Sequence, residues 1–237
     1  MSTWRVRRAG VALIVLLAVG LGAAGCGSSS ELSPPSGVDE LVVPTPSPDP
    51  RDFVAGVDNP WFPLPPGTVS EFSLTGPEGP GDVTVTVGEA TREVAGVETT
   101  EVTTSMRAGT FSGDHTDFYA QDRAGNVWWF GRDGEWAAGA DGAQAGLVMP
   151  ATPRVGDGFL LALLDGEVED RAEVVSVDGT FDASPVRRDH LVVLAVSSEL
   201  DPGTVQQRFY ARGVGLVHAG NVEGPVLSIT LRRGPDD

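Results

Sequence analysis

Three carboxylates crowd one short stretch of the chain, Glu167, Glu169 and Asp170. Paired carboxylates on either side of a scissile bond are the machinery of glycoside hydrolysis, and on an extended segment Glu167 and Glu169 would share a face roughly 7 Å apart. The chain carries 33 acidic against 16 basic residues, however, so a solvated acidic run is the default reading. Calcium ligation is a second use for such oxygens, although the loop pattern that ion favours is absent. The three histidines, His115, His190 and His218, have no metal-ligand spacing. Asp114-His115 and Asp189-His190 are adjacent pairs, and neighbours on a strand point to opposite faces, so each histidine is expected at the surface. No G-x-S-x-G elbow, S-x-x-K motif or phosphate-cradling glycine loop appears. The expectation is a non-enzymatic protein with no cofactor and no metal. A cell-wall glycan hydrolase working through Glu167, Glu169 and Asp170 is the alternative.

The single cysteine, Cys26, has a different chemistry. Arg5, Arg7 and Arg8 precede an uncharged stretch that runs to Gly25, the design of an export signal. A spanning helix needs about 20 apolar residues, whereas this run thins into Gly22, Ala23, Ala24 and Gly25 and stops at the cysteine. The pattern resembles the lipobox of bacterial lipoproteins, in which the cysteine is acylated and becomes the mature N-terminus; the leucine usual three residues before it is Ala23 here. The resemblance implies residues 1–25 as signal peptide, Cys26 as the lipidation site, and a position on the outer face of the cytoplasmic membrane. Several acyl chains on one cysteine make a stable anchor, at about 0.8 kcal/mol per buried CH₂. With Cys26 acylated no thiol remains for disulfides, thiolate metal sites or nucleophilic catalysis.

Removing residues 1–25 leaves 13 basic residues against 33 acidic ones, a formal charge of about −20. Nucleic acid is thereby excluded as a partner, because a polyanion is bound through basic patches that displace its counterions. Residues 26–51 are rich in Ser, Pro and acid, and cannot bury enough surface to offset the entropy of ordering. They read as a tether of mixed flexible and polyproline character that carries a domain spanning 52–237.

Within that domain the stretch FYAQDRAGNVWWFG, residues 118–131, gathers Tyr119, Trp128 and Trp129 around a polar turn. Arg123-Ala124-Gly125 suits a three-residue loop with Gly125 in the left-handed position. The resulting register sets Gln121 against Val127, Ala120 against Trp128, Tyr119 against Trp129 and Phe118 against Phe130. Phe118, Ala120, Trp128 and Phe130 then form one face, apolar throughout and expected in the core. Tyr119, Gln121, Val127 and Trp129 form the other, a candidate ligand-binding wall.

The elements that must position these residues are strands. Val83, Val85 and Val87 alternate cleanly over 82–87, and further candidates fall at 68–74, 92–94, 97–106, 117–121, 126–131, 172–177, 191–197, 204–211 and 225–232. Turn signals lie at Ala95-Gly96, Asp133-Gly134, Asp178-Gly179 and Asp201-Pro202-Gly203. Helical turns are plausible only at 158–164, which could equally be a buried strand, and around 138–147. With 31 glycines and no repeat of fixed period, the chain reads as a single all-β domain with little helix. Its antiparallel meander strands would form a strongly curved sheet, half-barrel or open barrel, with the concave face as the place for a ligand.

Five stretches in order, DNPWFPLPPGT (58–68), the hairpin above, GAQAGLVMP (142–150), GEVED (166–170) and FYARGVGLV (209–217), resemble the motif series of an uncharacterised family of exported bacterial proteins and lipoproteins. The chain departs from that series at Phe118, where tryptophan is usual, at Trp129, where tyrosine is usual, and in the more apolar 159–164. The exchanges keep aromatic bulk, which points to packing. The resemblance implies a β-rich extracytoplasmic domain akin to curved-sheet lipoproteins that hold acyl chains; it brings no activity, cofactor or catalytic residue. The partners to expect are the membrane through the lipid anchor and an apolar small molecule or an envelope protein.

Overall fold

The computed structural model describes residues 49–164, 168–183 and 186–235, so Cys26, most of the tether and Glu167 lie outside the described residues. In chain order the strands are β1 (Phe53–Val54), β2 (Val69–Gly76), β3 (Gly79–Val94), β4 (Val97–Ala108), β5 (Phe111–Asp122), β6 (Val127–Arg132) and β7 (Trp136–Ala137). They continue as β8 (Gln144–Met149), β9 (Gly158–Leu164), β10 (Val168–Ala183), β11 (Val186–Ser198), β12 (Asp201–Ala211), β13 (Gly215–Glu223) and β14 (Ser228–Arg233). From β2 onward each strand pairs antiparallel with its successor, β7 apart, and β14 returns to β2 with Leu231 opposite Phe72. β6 reaches β8 through Trp128 and Leu147 while β7 hangs from its end, and β1 lies along β5. The sheet is thus a closed barrel of twelve antiparallel strands. The all-β, single-domain expectation holds, and closure goes beyond the open forms favoured from sequence. Closing the ring removes the free edges that a long meander would expose.

Alternation assigns the two faces. Val83, Val85 and Val87 of β3, Val102, Thr104 and Met106 of β4, and His115, Asp117 and Tyr119 of β5 stand side by side across the ladder and point inward. Between them Thr84, Thr86, Thr103, Ser105, Arg107, Asp114 and Thr116 point outward, a polar face unlike the apolar band of a lipid-embedded barrel. On the opposite wall Val148, Phe159, Leu161, Val174, Val192 and Leu194 fill the interior solidly; each such buried side chain contributes about 1.5–3 kcal/mol.

The segment between β1 and β2 closes one end of the barrel. Asn59, 1% exposed, accepts from the backbone N–H groups of Trp61 at 2.8 Å and Phe62 at 3.2 Å, and donates to the carbonyls of Gly125 at 2.8 Å and Pro150 at 3.3 Å. Those bonds turn the chain so that Phe62 and Leu64 enter the barrel and pack on its core. The first family-like motif is therefore a plug.

The structure corrects three local expectations and decides one that the sequence left open, residues 158–164. Residues 138–147 form no helical turn: Gly139, Asp141 and Gly142 all take positive φ, which breaks a helix, and β8 follows at once. Residues 158–164 are the strand β9, and β13, broken up in sequence by Gly215 and Gly220, carried no strand signal strong enough to be read. Asp178-Gly179 lies inside β10 at a register shift against β11 instead of in a turn. A Cβ at Gly179 would come within 2.4 Å of Val193, so glycine there serves close strand packing.

Candidate functional site

The hairpin of β5 and β6 is built as its turn chemistry requires. Gly125 has φ 91°, its N–H donates to Asp122 O at 2.9 Å, and Asp122 Oδ1 accepts from Ala124 N at 2.9 Å and Asn126 N at 3.0 Å. Gln121 faces Val127, Ala120 faces Trp128 and Tyr119 faces Trp129. One pair slips: Phe118 faces Gly131, and Asp117 faces Arg132. The extra residue is a β-bulge, which bends a strand and re-aims the side chains beyond it. Without it Arg132 would point outward; with it the guanidinium lies beside Asp117 on the inner face, Nε to Oδ1 at 2.8 Å.

Phe118, Ala120, Trp128 and Phe130 are buried, as expected of a core face, but their core is outside the barrel. Val94 and Val97 from the end of the β3–β4 hairpin, Phe53 of β1, and Ala138 cover them. Phe53 meets the ring of Phe130 edge-on at 5.1 Å. The four candidate wall residues separate. Tyr119 lines an open lumen. Val127 is fully buried in the main core. Gln121 latches the plug, accepting from Asn59 N at 2.8 Å and Asp58 N at 3.0 Å and donating to Asp58 Oδ1 at 2.6 Å. Trp129 packs edge-on against Trp136 with ring centroids 4.9 Å apart, and its Nε1 donates to Gly131 O at 2.8 Å and Asp117 Oδ1 at 3.2 Å.

The lumen is a cavity of about 330 Å³. It starts at the plug, where Phe62 sits between Tyr119, 5.3 Å away by ring centroid, and Tyr210, 6.0 Å away. From there it runs to Met106, Gln206 and Leu227 toward the other end. Its walls are largely aliphatic, with Val83, Val85, Val87 and Val102 on one side and Leu216 and Ile229 on the other. Such a volume lies within the range of small-ligand sites.

Two polar clusters interrupt the aliphatic wall, and both were missed from sequence. β5 and β12 stand six places apart in the ring of twelve, so they face one another. On β5, Asp117, 4% exposed, is held by Arg132 and Trp129, with His115 Nε2 at 3.4 Å from Oδ2. His115 is therefore on the lumen and not simply at the surface, because its partner is the aspartate two residues on, on the same face. The neighbouring Asp114 points outward to Arg107, 2.9 Å away. Burial, and then the Arg132 charge, hold the His115 imidazole below its ordinary pKa although Asp117 opposes them. On β12, Arg208 projects inward between Gln206 and Tyr210 and donates from Nε to Gln206 Oε1 at 2.7 Å. Burial raises the Tyr119 phenol well above its ordinary pKa, with Asp117 adding to the shift, and burial raises that of Tyr210 as well. Both hydroxyls are thus kept neutral, and that of Tyr210 accepts a bond from Arg208. The His115, Asp117, Tyr119 alternation and the Gln206, Arg208, Tyr210 alternation are visible in the sequence as i, i+2, i+4 series, and an aromatic member at the plug end of each would have been the signal.

Glu169 and Asp170 are successive residues of β10, which sends their side chains to opposite faces. Neither lines the lumen. His190 pairs with Asp178 on the exposed part of β10 and β11, Nδ1 to Oδ1 at 2.6 Å. His218 bonds Thr230 Oγ1 at 2.9 Å and stacks on Phe181 at 4.1 Å, outside the barrel. Among the described residues no group of three or more His, Cys, Asp or Glu side chains could hold a metal ion.

No protein-family model and no curated protein matches the chain. Two solved structures are similar to it. One, from Bacteroides fragilis, is described as an exported protein with a YmcC-like fold; it is 12% identical with a TM-score of 0.43, over 75% of this chain and 99% of that one. The other, from Parabacteroides distasonis, is described as a lipoprotein; it is 13% identical with a TM-score of 0.36, over 73% of this chain and 97% of that one.

Proposed function

We propose that the protein is a tethered, non-enzymatic envelope lipoprotein whose barrel holds an apolar small molecule in its lumen. The observation that carries this reading is the aliphatic cavity of about 330 Å³ inside a closed barrel, floored by Phe62 of the plug. A barrel with no ligand would be expected to fill this space with side chains, as the β8 to β11 wall does, since interiors pack densely. Position at the membrane rests on Cys26 and the signal-like sequence before it. The acidic domain, at the end of its Ser- and Pro-rich tether, would be repelled by anionic lipid and stand clear of the surface.

Native mass spectrometry of the exported full chain carrying Cys26→Ser tests the ligand. The expected result is a bound mass after purification from the producing cells, or one equivalent taken up from added single-chain lipids. A bare mass that takes up none contradicts the reading. The anchor is tested separately: Cys26→Ser is expected to abolish incorporation of labelled fatty acid, and unchanged labelling would exclude acylation at that position.

A further inference from the structure

We propose that the ligand is a single-chain amphiphile with an anionic head group, a carboxylate or a phosphate monoester, and that Arg208 and the Tyr119 hydroxyl bind that head across the lumen. This rests on the reading of the lumen as a ligand site and adds the chemical class of the ligand.

The charges that line the cavity are Asp117, Arg132 and Arg208, with His115 beside Asp117. Asp117 and Arg132 neutralise one another through the 2.8 Å bond, and Trp129 Nε1 takes a further place on the same carboxylate oxygen. Arg208 has no such partner. Among the described residues no ion pair engages it, and its bonds go to neutral groups, the Gln206 amide from Nε and the Tyr210 hydroxyl. The lumen therefore holds an excess of one positive charge within a chain of formal charge −17. Arg208 is half-buried, beside Leu194 and Ala219 in the ladder and on a cavity that Leu216 and Ile229 also line, so its guanidinium has given up part of its water, and an anion delivered to it recovers that loss through charge-assisted hydrogen bonds.

The geometry supplies a second donor. Tyr119 faces Arg208 from the opposite wall, near enough for the arginine charge to act on its phenol, and among the described residues no hydrogen bond engages its hydroxyl. Tyr210 flanks Arg208 on the plug side. The aliphatic stretch between Val85 and Met106 then takes the chain, which leads from the head toward Leu227. A cavity of about 330 Å³ suits one acyl chain and not two.

The test is a binding titration of the exported full chain carrying Cys26→Ser with dodecanoate, dodecyl phosphate and dodecanol, which share one tail and differ in head. Dodecanoate or dodecyl phosphate is expected to bind at least tenfold more tightly than dodecanol, and whichever of the two is tighter identifies the head. In an Arg208→Met background the anion should weaken about tenfold while dodecanol is unchanged, and Arg208→Lys should keep most of the preference. Equal affinity of the wild type for all three would overturn the anionic class and leave the apolar-ligand reading standing. No binding of any of the three would overturn both. The comparison within the wild type decides the question even if Arg208→Met does not fold.

Discussion

Asp117→Ala is expected to cost the domain about 2–4 kcal/mol, below the full figure for a buried pair because the Arg132 side chain keeps 27% of its exposure. The loss comes less from the missing bonds than from what remains. Arg132 would be left on the inner face with only the exposed Glu135 carboxylate, 3.7 Å away, as counter-charge, and Trp129 Nε1 would fall back on Gly131 O alone. Equilibrium urea denaturation measures the change. The companion experiment is the double variant Asp117→Ala with Arg132→Met, which removes both charges and should recover most of the stability. If the double variant is as unstable as the single one, the aspartate matters for a reason other than pairing with Arg132.

Gly131→Ala should be at least as damaging, by about 3 kcal/mol or more. Gly131 has φ 143°, and a Cβ there would stand 2.4 Å from Trp136 O and 2.8 Å from Ala137 Cα. Those are backbone atoms of β7, so no rotamer change relieves the contact. The substitution is expected to detach β7 or to erase the bulge, and erasing the bulge turns Arg132 outward and leaves Asp117 inside without its arginine partner. Denaturation together with tryptophan emission checks both parts, because Trp129 and Trp136 pack edge to face at the affected place. A variant with wild-type stability would show that the bulge does not need glycine.

How far the sequence led can be seen in the same hairpin. Turn chemistry at Asp122 to Gly125 was enough to place three of its pairs, because a three-residue loop leaves the register no freedom near the turn. It failed at Phe118, one pair further on, since a bulge depends on what β7 does on the far side of β6. Arg132 was missed for that reason alone. The division of the hairpin into two faces survived, yet the apolar face packs outside the barrel under β1 and the β3–β4 hairpin end. Periodicity reports that a face is covered and not by what. The plug was opaque in a different way. Its many prolines read as irregular chain, while Asn59 acts through a set of local and long-range bonds that no spacing announces. Closure of the ring rests on β14 meeting β2, a contact between the two ends of the domain that local patterns do not encode. Arg208 stood in plain alternation with Tyr210, and became informative only once β12 was seen to face β5.

Occupation of the lumen is the claim on which the rest depends, and Thr104→Phe tests it most directly. Thr104 points inward from the middle of β4, between Val85 and His115 in the ladder, and phenylalanine suits a strand while filling the space a ligand would take. Binding of a polarity-sensitive fluorescent amphiphile is compared between Thr104→Phe and its parent, with urea denaturation of both as the control for folding. The account predicts saturable binding at one site in the parent, at least a tenfold loss in Thr104→Phe, and unfolding midpoints that agree closely. Equal binding by two equally stable proteins would contradict it, because the ligand would then lie somewhere other than the barrel interior.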